Sequence, residues 1–177
     1  MERVPSCITN NPHIAAQKDV HARWTMKNNA SYFGYKNHIN ADAKHKIVRK
    51  YGVTPASTSD IHCLEALLDK RNDNRVWADS AYYSKASENR LKELGFESRL
   101  IRRYGVHFPA WTYQGRQNSR YAKVRKRVEH VFGFMENSMK GMFIRVIGIS
   151  RAKTKICLMN LAYNMARFEQ LERLDVA

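Results

Sequence analysis

The spacing of apolar and polar residues changes period several times along the chain, and each change predicts an element. Tyr32-Phe-Gly-Tyr-Lys-Asn-His-Ile-Asn-Ala-Asp42 alternates polar with aromatic or aliphatic positions, and Lys46-Ile-Val-Arg-Lys-Tyr-Gly-Val-Thr54 does so again after a short polar turn. Period-2 alternation sends every second side chain to one face, so these runs predict two antiparallel strands. Thr58, Ser59 and Asp60 then offer N-cap oxygens to a helix built on Ile61, Leu64, Leu67 and Leu68, reaching about Lys70. A polar break at Asn72-Asp-Asn74 precedes Val76-Trp-Ala78, a short buried strand that ends on Asp79. Lys85 to Leu94 fits a helix, with Ser84 as its cap and Gly95 as its C-terminal stop, and Phe96 to Ile101 fits another strand.

The two ends of the chain read differently. Residues 1 to about 30 are polar, contain Pro5, Pro12 and Asn10-Asn11, and show neither period, so they predict a linker or loose arm ahead of a domain over 31–177. Residues 102 to 119 predict a basic, aromatic loop. Two helices then follow: one from about Ser119 to Met139 with Val124, Val128, Val131 and Met135 as its apolar stripe, and one from Arg151 to about Leu174 with Ile156, Met159, Tyr163 and Ala166 on one face. The order strand, strand, helix, strand, helix, strand, long helix predicts an α/β domain, a mixed sheet covered by helices, whose first strand is to be sought upstream.

At 177 residues and 44% hydrophobic composition, the chain can bury one core. Charge then selects the partner class. A formal net charge of +15 and an isoelectric point near 10.0 attract polyanions, nucleic acid first and an anionic membrane surface second. No stretch approaches the roughly 18 to 20 apolar residues of a membrane span, and Met1-Glu-Arg-Val-Pro5 lacks a secretory apolar core, so the expectation is a cytoplasmic protein. Cys7, Cys63 and Cys157 are odd in number and form no CxxC pair, which argues against a disulfide framework or a zinc site.

Two acidic residues stand out in these basic surroundings. Asp79 follows a buried strand, and Glu129 lies within Arg125-Lys-Arg-Val-Glu129-His-Val-Phe132 on a helix. In-line attack on a DNA phosphate uses divalent ions held by carboxylates from separate elements, and a strand end and a crossing helix can supply them. Each residue also has a plain structural reading. An Asp after a strand serves as a turn former or helix cap, and a Glu one turn after Arg125 serves as half of an exposed ion pair. Arg125 itself could hold that carboxylate or contact a DNA phosphate.

The cations Arg99, Arg102, Arg103, Arg116, Arg120, Lys123, Arg125, Lys126 and Arg127 alternate with Tyr104, Trp111, Tyr113 and Tyr121. Cations bind phosphates and aromatic faces stack on opened bases, so this stretch predicts DNA contact without identifying a sequence preference. His38, His45, His62, His107 and His130 lack zinc-ligand spacing and predict packing or ordinary hydrogen bonds. Asp42 reads as a strand-end residue and Asp60 as a helix cap.

Five ordered blocks resemble the transposases of bacterial insertion sequences, the DDE class with a ribonuclease H-like fold, and most closely the insertion sequence five group. They are Phe33-Gly-Tyr-Lys-Asn-His38, Val53-Thr-Pro-Ala56 with Asp60 following, Ala78-Asp-Ser-Ala-Tyr82, Arg127-Val-Glu-His-Val-Phe-Gly133 and Asn160-Leu-Ala-Tyr-Asn164. The resemblance implies that Asp79 and Glu129 are the second and third acidic ligands of a magnesium site, with manganese as a substitute. It further implies hydrolytic nicking of double-stranded DNA, attack of the freed 3′-hydroxyl on target DNA, and a homo-oligomer on the element ends.

The chain departs from that pattern in two places. Such transposases carry their first catalytic aspartate on an opening strand ahead of the glycine-tyrosine strand. Here the only Asp before Ser31 is Asp19, in Gln17-Lys-Asp-Val-His21, which resembles the linker after that strand. The expectation is therefore the C-terminal part of a transposase. Its alternative is a non-catalytic DNA-binding or interaction module that pairs with full-length transposase and modulates it. In the tyrosine, arginine, glutamate and lysine signature, Arg125 and Glu129 keep the spacing, Tyr121 is one residue early, and Glu136 stands at the lysine position. Lys140 is the nearest substitute, so Arg120, Tyr121, Lys123, Arg125, Lys126, Arg127 and Lys140 form the expected DNA-binding set.

Overall fold

The computed structural model describes residues 6, 10–27, 29–71, 74–102, 109, 111–141 and 143–175. Cys7, Asn72, Arg103, Tyr104 and His107, which entered the sequence reading, lie outside the described residues. The elements in chain order are α1 (Pro12–Gln17), β1 (Arg23–Lys27), β2 (Ala30–Ala41), β3 (Val48–Pro55), a 3-10 turn (Asp60–Cys63) running into α2 (Leu64–Leu67), β4 (Arg75–Ala78), a 3-10 turn (Ser80–Tyr82), α3 (Lys85–Glu93), β5 (Glu97–Leu100), α4 (Tyr113–Asn137) and α5 (Ile149–Asp175).

The alternating runs are the strands they predicted. β2 pairs antiparallel with β3 from Tyr35 opposite Pro55 to Ala41 opposite Val48, with a register shift between Asn40 and Ala41. Through its first half the same strand pairs with β1, Arg23 opposite Gly34 and Trp24 opposite Phe33. Part of the stretch expected as a loose arm is thus helix and strand. Trp24 and Met26 alternate as the period-2 rule requires, but both side chains are exposed, so no apolar burial marked the strand.

Local chemistry sets α3 as expected. Ser84 Oγ accepts from Ser87 N at 2.9 Å, and Gly95 takes φ of 82°, the left-handed conformation that ends a helix without a Cβ penalty. The helix expected from Ile61 to Lys70 is shorter, a 3-10 turn followed by the single turn Leu64–Leu67. Helix α4 starts at Tyr113, capped by Thr112, whereas the sequence placed residues 113–118 in the loop. Buried Asn118 explains the difference: it accepts from Arg102 N at 3.1 Å and donates to Arg102 O at 2.8 Å, so the first turns are fastened to the end of β5.

The expected single mixed sheet is two sheets, an antiparallel one of order β1-β2-β3 and a parallel pair β4-β5. Among the described residues no ladder joins them. Each sheet has its own apolar cluster. Val48, Val131, Met135, Met159 and Tyr163 unite β3, α4 and α5, with Ile39 and Ala41 against them. Leu64, Leu91, Phe96 and Leu100 unite α2, α3 and β5, with Val76 and Ala78 against them. Helix α4 touches both sheets, since it packs on β4 and β5 at one end and enters the first cluster at the other.

Polar ties fasten α5. Asn37 and Asn160 exchange amide hydrogen bonds, Asn164 accepts from Val48 N at 2.8 Å, and Tyr163 donates to Lys46 O at 2.9 Å. Part-buried Asp19 holds the helix start: it accepts from Tyr35 Oη at 2.7 and 2.8 Å and from Gly148 N at 2.9 Å. Burial works against its charge, yet these bonds and those from Ala22 and His21 leave its carboxyl below the usual range. Burial, and then the bond to Asp19, push the Tyr35 hydroxyl well up.

Candidate active site

Strand β4 ends at Ala78, and Asp79 turns the chain out of the sheet with φ of −72° and ψ of 166°. Its Oδ1 accepts from Ser80 N at 2.6 Å, which leaves Oδ2 facing the helix that crosses β4. Arg125 meets it there, with Nη1 3.6 Å from Asp79 Oδ2. The other guanidinium nitrogen, Nη2, donates to Glu129 Oε1, one turn further along α4. One planar cation is therefore shared by the two carboxylates singled out in the sequence.

Both plain readings of these residues hold locally, since Asp79 caps a turn and Glu129 pairs at i,i+4. Neither accounts for the convergence. The side chains of Asp79 and Glu129 are about half exposed, at 49% and 52%, and Arg125 between them is less so. Among the described residues Arg125 Nε is buried without a hydrogen-bond partner, while its two terminal nitrogens face the two carboxylates.

The guanidinium is a natural stand-in for a metal when the fit of a divalent ion is judged. Hard ions take carboxylate oxygens, and two such groups from a strand end and a helix already converge on one positive charge. The donor set fits as part of a magnesium site. Among the described residues no group of three His, Cys, Asp or Glu is arranged to hold an ion.

A second polar cluster lies beside this face and was missed by spacing alone. Lys36 Nζ donates to Asp60 Oδ1 and to Thr58 O, both at 2.9 Å, so Asp60 is an ion-pair partner rather than the expected cap. Buried His38 bonds Thr54 Oγ1 at 2.8 Å and comes within 4.0 Å of Asp60. Burial lowers its pKa, against the pull of Asp60. Tyr82 bridges the two clusters electrostatically: burial, then the charges of Asp60, Cys63 and Asp79, push its hydroxyl up to about 12. Lys36, His38, Asp60 and Tyr82 all sit inside the ordered sequence blocks, which was the available signal. Asp42 accepts from Lys44 and His45 N, the turn role expected of a strand-end residue.

The basic stretch divides. Arg99 pairs with Glu97 at 2.6 Å and lies over the Tyr121 ring at 5.6 Å, while Arg102 pairs with Glu88 at 3.1 Å. Arg116, Arg120, Lys123 and Arg127 are exposed, and at 3.6 residues per turn they form one stripe on the far side of α4 from Arg125 and Glu129. Arg127 also donates to Ala43 O. Lys126 is exposed about a quarter-turn away from Arg125, and Tyr121 shares the Arg125 face. Glu136 lies on that face too, two turns beyond Glu129, and exposed Lys140 falls past the helix end with φ of 47°. Trp111 and Tyr113 are exposed at the start of α4. Among the described residues no helix is long and apolar enough to cross a membrane.

The chain is 27% identical over 151 residues to the transposase for insertion sequence element IS1106 from Neisseria meningitidis serogroup B. That similarity covers 85% of this chain and 52% of the relative, so the chain spans about half the length of the protein it matches. No solved structure matches it. The family model described as the transposase DDE domain matches residues 12–165, nearly the whole chain, and includes both carboxylates and the arginine between them. The chain belongs to the DDE-domain transposase family.

Proposed function

We propose that this protein acts in DNA transposition as part of an insertion sequence five group transposase, with Asp79 and Glu129 as two acidic ligands of a magnesium site that manganese can also fill. The observation that carries this reading is the convergence of both carboxylates on Arg125. When bound, the metal activates the attacking oxygen and stabilises the leaving oxygen of an in-line displacement at phosphorus. The chain's own groups supply position. Asp79 is held by Ser80 N at the end of β4, and Glu129 is held on a helix anchored in the core. Arg125 keeps the two oxygens together without an ion, and once released it can reach the scissile phosphate.

Double-stranded DNA of element ends and target would meet α4 on two faces, with Tyr121, Arg125 and Lys140 nearer the cut, and Arg120, Lys123 and Arg127 on phosphates of a segment on the far side, Lys126 lying between them. DNA as partner places the protein at the nucleoid in the cytoplasm.

A second reading is a DNA-binding module without catalysis that pairs with full-length transposase, and the lack of a three-ligand group among the described residues favours it. Supercoiled plasmid with magnesium or manganese separates the two. Nicking that Asp79→Ala abolishes supports the enzyme. Retarded migration without nicking, unchanged by Asp79→Ala, supports the module.

A further inference from the structure

Helix α5 buries one stripe and exposes its opposite. Ala152, Ile156, Met159 and Tyr163 are buried against the sheet and α4, as amphipathic spacing predicts. Leu158, Leu161, Met165 and Phe168 recur at three- and four-residue intervals, and each is more than half exposed. At 3.6 residues per turn they lie diametrically opposite Tyr163, the seam pattern of a helix that packs on another helix. Single exposed apolar residues need no explanation, whereas a continuous stripe of four marks an interaction surface.

The charges at the ends of the stripe select the occupant. Arg151, Lys153 and Lys155 lie in the N-terminal half, and Glu169, Glu172 and Asp175 in the C-terminal half. Within the C-terminal half Arg173 pairs with Glu169 at 2.5 Å, and Arg167 donates to His45 O at 2.8 Å and to Gln170, so the acids offered at that end are Glu172 and Asp175. A second copy laid antiparallel meets opposite charge at both ends, whereas a parallel copy meets like charge. The apolar positions are also self-complementary. A two-fold axis passing opposite Tyr163 sets Leu158 against Phe168 and Leu161 against Met165 of the second copy, and Arg151 against Asp175.

We propose that the exposed face of α5 is a self-association surface, on which two copies of this chain pair their C-terminal helices antiparallel through the Leu158, Leu161, Met165 and Phe168 seam. This names a surface for the self-association expected of the family. Its test reads mass and cross-link rather than strand cleavage, so this inference and the transposase reading can fail separately.

Sedimentation equilibrium of the whole chain at about micromolar to hundred-micromolar concentration should give a dimer mass. Leu161→Glu with Met165→Glu should raise the dissociation constant by roughly a hundredfold or more, with the far-UV circular dichroism of the folded chain retained, because both side chains face solvent. Arg151→Asp should weaken the dimer, and adding Asp175→Arg in the same chain should restore it. For orientation, chains carrying Leu161→Cys are mixed with chains carrying Met165→Cys and oxidised. A 161-to-165 disulfide in the peptide map is the expected product. A monomer at every concentration, a dimer indifferent to the Leu161 and Met165 changes, or disulfides between like positions would overturn the proposal.

Discussion

The two long helices, α4 and α5, are nearly equal in length and share one apolar cluster, yet they turn opposite chemistry outward. The free faces of α4 carry Arg116, Arg120, Lys123, Lys126 and Arg127 and the Asp79–Arg125–Glu129 cluster, while that of α5 carries Leu158, Leu161, Met165 and Phe168. The inward stripe of each helix fixes where it sits in the fold. The outward stripe decides what it can meet, a polyanion in one case and another apolar surface in the other. A single apolar stripe per helix, the pattern that reveals a helix in sequence, says nothing about this second choice.

Predictions that would break the contrast begin with the carboxylates. Glu129→Ala should lower metal-dependent nicking at least about a hundredfold while leaving plasmid retardation in place, measured side by side on one gel. Equal loss of retardation would mean that Glu129 serves the fold or the DNA surface alone. Next come the shared inward stripes. Met135→Ala on α4 and Ile156→Ala on α5, both fully buried, should each cost about 2–5 kcal/mol in chemical denaturation. Leu161→Ala on the outward face should stay within about 0.5 kcal/mol at concentrations where the chain is monomeric.

Asp19 offers a test of the tie between the strand hairpin and the start of α5. Asp19→Asn should cost about 1–3 kcal/mol, because Gly148 N and Tyr35 Oη lose a charged acceptor. Since its folded pKa is depressed, the contribution of Asp19 is fully present above the usual carboxylate value near ~4 and is lost as pH falls through the lower folded value. Denaturation midpoints between neutral and acidic pH should therefore converge for the wild type and Asp19→Asn. The smallest effect belongs to the far stripe of α4. Arg120→Ala or Lys123→Ala should reduce the salt slope of DNA binding by about one unit each, with similar loss on unrelated sequences.

The elements that were legible in sequence are those governed by neighbours along the chain. The Ser84 cap and the Gly95 stop bracket α3 because both act within a turn, and the alternating runs of β2 and β3 pair with each other across a short turn. The start of α4 was not legible, because Asn118 reaches back to the backbone of Arg102. Nor was the role of Asp60, which pairs with a lysine two elements earlier instead of capping its own turn. Asp79 and Glu129 could be named from ordered blocks and Arg125 from its spacing to Glu129, but a turn cap and an i,i+4 pair explained them equally well until the fold placed them together.

Sequence by itself determined a basic α/β chain, its main helices and strands, and the identity of its acidic candidates, because charge, period and capping are properties of neighbouring residues. Only tertiary structure decided that Asp79 and Glu129 meet on a single arginine, that the cations of α4 divide between two faces, and that the sheet has two parts. Those outcomes depend on how elements distant in the chain are packed side by side, and an apolar stripe specifies that an element is buried without specifying against what.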